Sequence, residues 1–291
     1  MSSIPKRVFI LGDEWIFFKI YTGVKFADTL LTDHLMPLIN TWKSKNYIEK
    51  WFFIRYYDPE FHLRVRFLVS DKENLTLIIK DMNVLFSALI QQDFVWKLQT
   101  DTYVRELERY GIQKIDHAET VFCHDSEMIV SVLKHIENAG NQSLRWLTGL
   151  LIIEDILDAF NLTIEEKKDL MEQYITFFSD EMSYDKFLKR QLSLKYRNNK
   201  REINSFLTRN AAHQALIDIV SYKKENTHQS MQEIVNSELS SEYRGELIFS
   251  LSHMSLNRLY RTKSRKNEFV SYHLLLYYYE SKIAQLKHSK K

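Results

Sequence analysis

Cysteine occurs once in the 291 residues, as Cys123. A single thiol excludes an internal disulfide and a thiolate metal cluster. Proline is confined to positions 5, 37 and 59, so no pyrrolidine ring interrupts a helix after Pro59. Glycine is nearly as sparse, at 12, 23, 111, 140, 149 and 245. That spacing argues against a turn-dense all-β chain and supplies no glycine-rich loop to cradle a phosphate. Uninterrupted apolar runs of about 18 residues are missing, so no membrane span is expected. The opening MSSIPKRVFILGDEWIF lacks the long apolar core and small-residue cleavage site of a secretory signal. A soluble, cytoplasmic chain is expected. Formal charge is only +2, so any positive site has to be local, and nucleic acid is not an expected partner. None of the ten histidines falls in an HExxH or a Cys/His cluster, and no G-x-S-x-G occurs. No metal and no cofactor is implied.

What is present is apolar and aromatic: 45% hydrophobic and 13% aromatic residues, enough to bury a sizeable core and exclude a disordered chain. Trp15 to Tyr21 reads as a buried strand and about 29–43 as an amphipathic helix. A hairpin over Lys50 to Phe67 follows, then a helix over about 73–91 and a strand in FVWKLQTDTY. Strand, helix, hairpin, helix, strand predicts a sheet backed by helices. From about Ser126 the pattern turns helical. SLRWLTGLLIIEDILDAF is an apolar helix, and the next begins with a capping box from Thr163 to Glu166. Between 183 and 211 lies a basic stretch: Lys186, Lys189, Arg190, Lys195, Arg197, Lys200, Arg201 and Arg209 against Asp185 and Glu202. Two helices joined near RTKSRKNE close the chain. The expectation is one α+β domain over 1–291: a mixed sheet with helices to about 115, then a largely helical half from about 116.

The hairpin KWFFIRYYDPEFHLRVRF carries unusual charge. Asp58-Pro59 is a strong turn start. A four-residue loop, Asp58 to Phe61, pairs Tyr57 with His62, Arg55 with Arg64 and Phe53 with Arg66, all on one face. The other face, Phe52, Ile54 and Tyr56 with Leu63, Val65 and Phe67, would then be the core side. A three-residue loop changes the pairing but still leaves His62, Arg64 and Arg66 together. Arginines directly opposite one another repel, so the arrangement makes sense around an anion. A solvated face or structural ion pairs are the plain alternative. Two further stretches stand out. DTYVRELERYG (101–111) gathers Arg105, Arg109, Glu106 and Glu108, for which exposed helix ion pairs are the plain reading. SLSHMSLNRLYR (250–261) sets His253 and Asn257 on one helical face. A histidine among apolar neighbours is more often a core residue than a catalyst.

In order, FFIRYYDPEFHLRVRF, TYVRELERYG and HMSLNRL followed by Glu268 resemble the C-terminal elimination domain of lantibiotic dehydratases, the thiopeptide-type bacteriocin biosynthesis family. The likeness runs from about Trp15 to Tyr279. It implies a lyase acting on a ribosomally made precursor peptide. In that family another domain esterifies serine and threonine with glutamate. The elimination domain then removes the α-proton and expels glutamate, leaving dehydroalanine or dehydrobutyrine. The chain has no room for the esterifying domain, so a separate glutamylating protein is the expected partner. Residue by residue, the resemblance marks Arg64, Arg66, His253 and Glu268 as catalytic. Arg55, His62 and Asn257 are expected to contact substrate, with one of Arg105 or Arg109. Guanidinium groups suit the carboxylate of the leaving glutamate and charge developing on the enolate. Two other readings stay open: a formal 4+2 cycloaddition between dehydroamino acids, and a non-catalytic subunit that binds the precursor. In the second, the basic stretch would meet an acidic leader segment. A homodimer is also open.

Overall fold

The computed structural model describes residues 5–235 and 240–289. These divide into two compact units, one holding residues up to 135 together with 225–235, the other 136–224 and 240–289. The strands are β1 (Val8–Phe9), β2 (Trp15–Thr22), β3 (Ile48–Tyr56), β4 (His62–Val69), β5 (Val95–Thr100) and β6 (Tyr103–Val104). The first unit also holds helices α1 (Phe26–Thr29), α2 (Met36–Ser44), α3 (Leu75–Gln91) and α4 (Leu107–Tyr110). Helix α5 (Ile115–Ala139) follows. Then come α6 (Ser143–Ala159), α7 (Ile164–Phe178), α8 (Lys186–Leu207), α9 (Gln214–Val235), α10 (Ser241–Leu259) and α11 (Ser264–Ser289). The expected α+β class, sheet first and mostly helix after, is what the chain adopts. A wide π turn over Leu30–Leu35 joins α1 to α2, so the first helical stretch starts at Phe26 rather than near 29. Strand FVWKLQTDTY is interrupted: β5 stops at Thr100, and β6 leaves to pair with β1.

The main sheet is antiparallel in the order β3-β4-β2-β5. Its observed register corrects the expected hairpin pairing. Tyr56 faces His62, Ile54 faces Arg64 and Phe52 faces Arg66, while Arg55 faces Leu63. The loop therefore has five residues, Tyr57 to Phe61, and the one-residue slip sends every β3 side chain to the opposite face. Trp51, Phe53 and Arg55 join Leu63, Val65, Phe67, Phe18 and Ile20 on the core face, all nearly inaccessible to water. Trp42 of α2 meets Phe67 edge-on, and its indole donates to Asp81 of α3 at 2.8 Å. The apolar set Ile78, Met82, Phe86 and Leu89 recurs on one side of α3 and is buried with this core.

The second unit is built on α6, whose side chains from Leu147 to Leu157 are largely buried. Gly149 permits a close approach: a Cβ there would lie 2.7 Å from the Tyr260 hydroxyl. Arg145 donates to the carbonyl of Leu259 at 2.6 Å, closing the end of α10. The expected capping box is present, with Thr163 and Glu166 bonding each other's backbone at the start of α7. The basic stretch is helix α8, buried through Leu192, Tyr196, Ile203 and Phe206. Among the described residues, no helix is long and apolar enough to cross a membrane.

Candidate active site

Strand β4 presents His62, Arg64 and Arg66 at alternate positions, so they share the face turned away from the helices α2 and α3. At one end of this face Arg66 is enclosed by aromatic rings. Its guanidinium carbon lies 4.2 Å from the centre of Phe17, 4.9 Å from Tyr103 and 5.3 Å from Phe52. Rings on several sides hold a planar cation by their negative faces and keep water off it. Arg64 is half-buried and lies 3.4 Å over the ring of Tyr56. Its Nε donates to Nε2 of His62 at 3.2 Å.

His62 is itself fixed. Its Nδ1 lies 2.8 Å from the Glu60 carbonyl, and its ring stacks 4.7 Å from Tyr21. The carbonyl accepts from a protonated Nδ1, leaving Nε2 as acceptor for Arg64. Burial holds the His62 imidazole below its ordinary pKa, with the Arg64 charge acting the same way and the Glu60 carbonyl opposing them. A neutral His62 is thus a positioning group for Arg64. Lys19 occupies the neighbouring row and pairs with Asp101. Neither was singled out from the sequence. The signal was faint: a lysine alternating with aromatics in β2, on a strand whose pairing order was unreadable.

Arg55 does not join this face. It is 1% exposed and donates to Asp28 at 2.6 Å, a pair inside the core. Its nearness to Arg64 in sequence misled because WFFIRYY is apolar on both alternations, so either register looks amphipathic.

Arg105 is also buried, and its guanidinium is committed. Nε and Nη2 meet Glu119 at 2.8 and 2.6 Å, and Nη2 meets Asp116 at 2.7 Å. Tyr103 donates to the same Glu119 at 2.7 Å, and its ring reaches Arg66, so Arg105 braces the floor beneath Arg66. Arg109 is half-exposed and pairs with Glu106 one turn back.

His253 and Glu268 lie in the other unit, on α10 and α11. His253 Nδ1 sits 2.9 Å from Glu268 Oε2, and the Tyr272 hydroxyl donates to Oε1 at 2.8 Å. Glu268 is 0% exposed, whereas the His253 side chain is 27% exposed. A carboxylate oxygen only accepts, so Nδ1 donates this bond, and in the neutral imidazole the lone pair then lies at Nε2. The ring of Phe249 lies parallel to the imidazole at 6.2 Å. Asn257 is one turn further along α10, half-buried on the same face. Tyr272 was missed in the sequence, although its position four residues after Glu268 places it one helical turn away. Among the described residues no group of three His, Cys, Asp or Glu side chains has the arrangement of a metal site.

Comparison with known proteins identifies the family. Residues 15–279 match the family described as lantibiotic biosynthesis dehydratase C-term. The subtilin biosynthesis protein SpaB of Bacillus subtilis is 27% identical over 173 residues, covering 59% of this chain and 17% of SpaB. The tRNA-dependent lantibiotic dehydratase MibB from Microbispora sp. 107891 superposes with a TM-score of 0.77 at 21% identity. That match covers 96% of this chain and 29% of MibB. TbtD, a pyridine synthase from thiomuracin biosynthesis, superposes with a TM-score of 0.68 at 12% identity, covering 92% of this chain and 98% of TbtD. The chain thus spans about a sixth of the SpaB length it matches. From signature, fold and family match together, the chain belongs to the lantibiotic biosynthesis dehydratase C-terminal family.

Proposed function

We propose that this protein eliminates glutamate from glutamylated serine and threonine residues of a precursor peptide, working with a separate glutamylating protein. The observation that carries this reading is the His253–Glu268–Tyr272 chain. There the buried Glu268 carboxylate accepts from His253 Nδ1, which in the neutral imidazole leaves the lone pair at Nε2 of a partly exposed side chain. In the reaction His253 Nε2 takes the α-proton of the esterified residue. The electron pair forms the Cα–Cβ double bond, the Cβ–O bond breaks, and glutamate leaves as its carboxylate. A positioned base of this kind contributes about 10²–10⁴-fold to such a step. Arg64 and Arg66 serve the anionic side of the chemistry, the carboxylate that the ester carries and the one released. Arg55 and Arg105 act in the framework, since both are held by buried acids.

A cycloaddition between two dehydroamino acids is the second reading, favoured by the near-complete coverage of TbtD. It needs no base at Cα and no carboxylate receptor. The test is a peptide carrying one glutamylated serine, incubated with wild type, Arg66→Ala and His253→Ala and followed by mass. Loss of the whole glutamic acid in wild type, slowed at least 100-fold in His253→Ala, is expected. An unchanged mass with wild type would refute elimination, and turnover of a bis-dehydroalanine peptide would establish the second reading.

A further inference from the structure

The main sheet ends in an open edge. Among the described residues β5 bonds to β2 alone. Asp101 N–H donates to the Phe17 carbonyl at 3.1 Å, and the register pairs Lys19 with Gln99 and Tyr21 with Lys97. Antiparallel pairs alternate between bonded and non-bonded. Asp101, Gln99 and Lys97 therefore turn their backbone groups towards β2, while Thr100 and Leu98 turn theirs outwards. This edge is uncovered: Trp96, Lys97, Gln99 and Thr100 are all exposed. The side chains of Lys97 and Gln99 stand on the face of Arg64. One row runs Gln99, Lys19, Arg64 and the next Lys97, Tyr21, His62.

We infer that an extended segment of the substrate peptide docks on β5 as an added strand. Outward N–H and C=O groups are a template for such an addition, and strand pairing gives affinity without regard to sequence. Every second side chain of the added strand then falls on the face that carries Lys97, Arg64 and the Lys19–Asp101 pair. A glutamyl ester there brings a carboxylate to a cationic surface. The inference rests on the elimination reading for the identity of its occupant.

The probe is a fluorescein-labelled twelve-residue peptide in which a glutamyl amide of diaminopropionate replaces the serine ester. It cannot lose glutamate, so anisotropy reads binding apart from chemistry. Single N-methylation along the peptide is expected to weaken binding at least tenfold at alternate residues and to leave the intervening ones unchanged. Thr100→Pro removes an outward N–H without breaking the ladder to β2 and is expected to weaken binding about tenfold at an unchanged unfolding temperature. A flat methylation profile, full binding by a folded Thr100→Pro, or no binding by wild type would overturn the inference. Should Thr100→Pro not fold, the methylation profile decides alone. An alternating profile with an intact ester substrate leaves docking standing and removes the reaction. Rapid elimination with a flat profile does the reverse.

Discussion

Glu268→Gln tests the imidazole's orientation with almost no change of shape. In the wild type Oε1 accepts from Tyr272 and Oε2 from His253 Nδ1. A glutamine satisfies Tyr272 with its carbonyl oxygen and then points its NH₂ at His253. To avoid two facing donors the imidazole shifts its proton to Nε2, and the lone pair proposed to take the α-proton disappears. Restoring it means turning the amide, which takes the acceptor away from the buried Tyr272 hydroxyl. Each buried polar group left unsatisfied costs about 1–3 kcal/mol. One or two such groups give about 1–6 kcal/mol, or about fivefold to about 10⁴-fold in rate at 1.36 kcal/mol per tenfold. The assay is single-turnover loss of glutamate from a glutamylated peptide, with α-deuterated substrate in parallel. Expected is a rate loss of at least about fivefold with the α-deuterium isotope effect retained, and an unfolding temperature close to wild type. A rate within threefold of wild type would refute the role given to the pair, because no tautomer constraint would then be acting through Glu268.

Arg55→Leu should destabilise the first unit by about 3–5 kcal/mol, since it removes the guanidinium that pairs with Asp28 in the core. Asp28→Leu combined with Arg55→Leu should recover most of that loss in urea unfolding, and an unrelieved double variant would speak against the pair. Burial, with the Lys189 charge, pushes the His273 imidazole down to about 4. Below pH 6.5 the unfolded chain binds a proton there that the folded chain does not, so stability falls as pH drops from about 6.5 to about 4, by about 3 kcal/mol in all. In His273→Leu that part of the pH dependence should vanish, and an unchanged slope would contradict it. Burial raises the Cys123 thiol to about 11, so a thiol reagent should modify the native protein only as it unfolds. Fast native labelling at pH 8 would show the thiol to be open.

Much of this architecture is written locally. Sparse proline and glycine, the Thr163 capping box and the apolar run of α6 mark helices from neighbours a few residues away, and those helices form where expected. His62, Arg64 and Arg66 share a face because strand geometry makes them, whatever the register. The His253–Glu268 pair was reached through the resemblance, fifteen residues apart, and no periodicity announces it. What the sequence left open depends on contacts distant along the chain. WFFIRYY is apolar on both alternations, so the placing of Arg55 was decided by a five-residue loop and by Asp28, twenty-seven residues earlier. Arg105 and Arg109 looked equivalent until Glu119 claimed Arg105 from α5. Local pattern determines which elements form and which residues travel together on a face. Which charges are paired inside the core depends on partners that only the folded chain brings within hydrogen-bond reach.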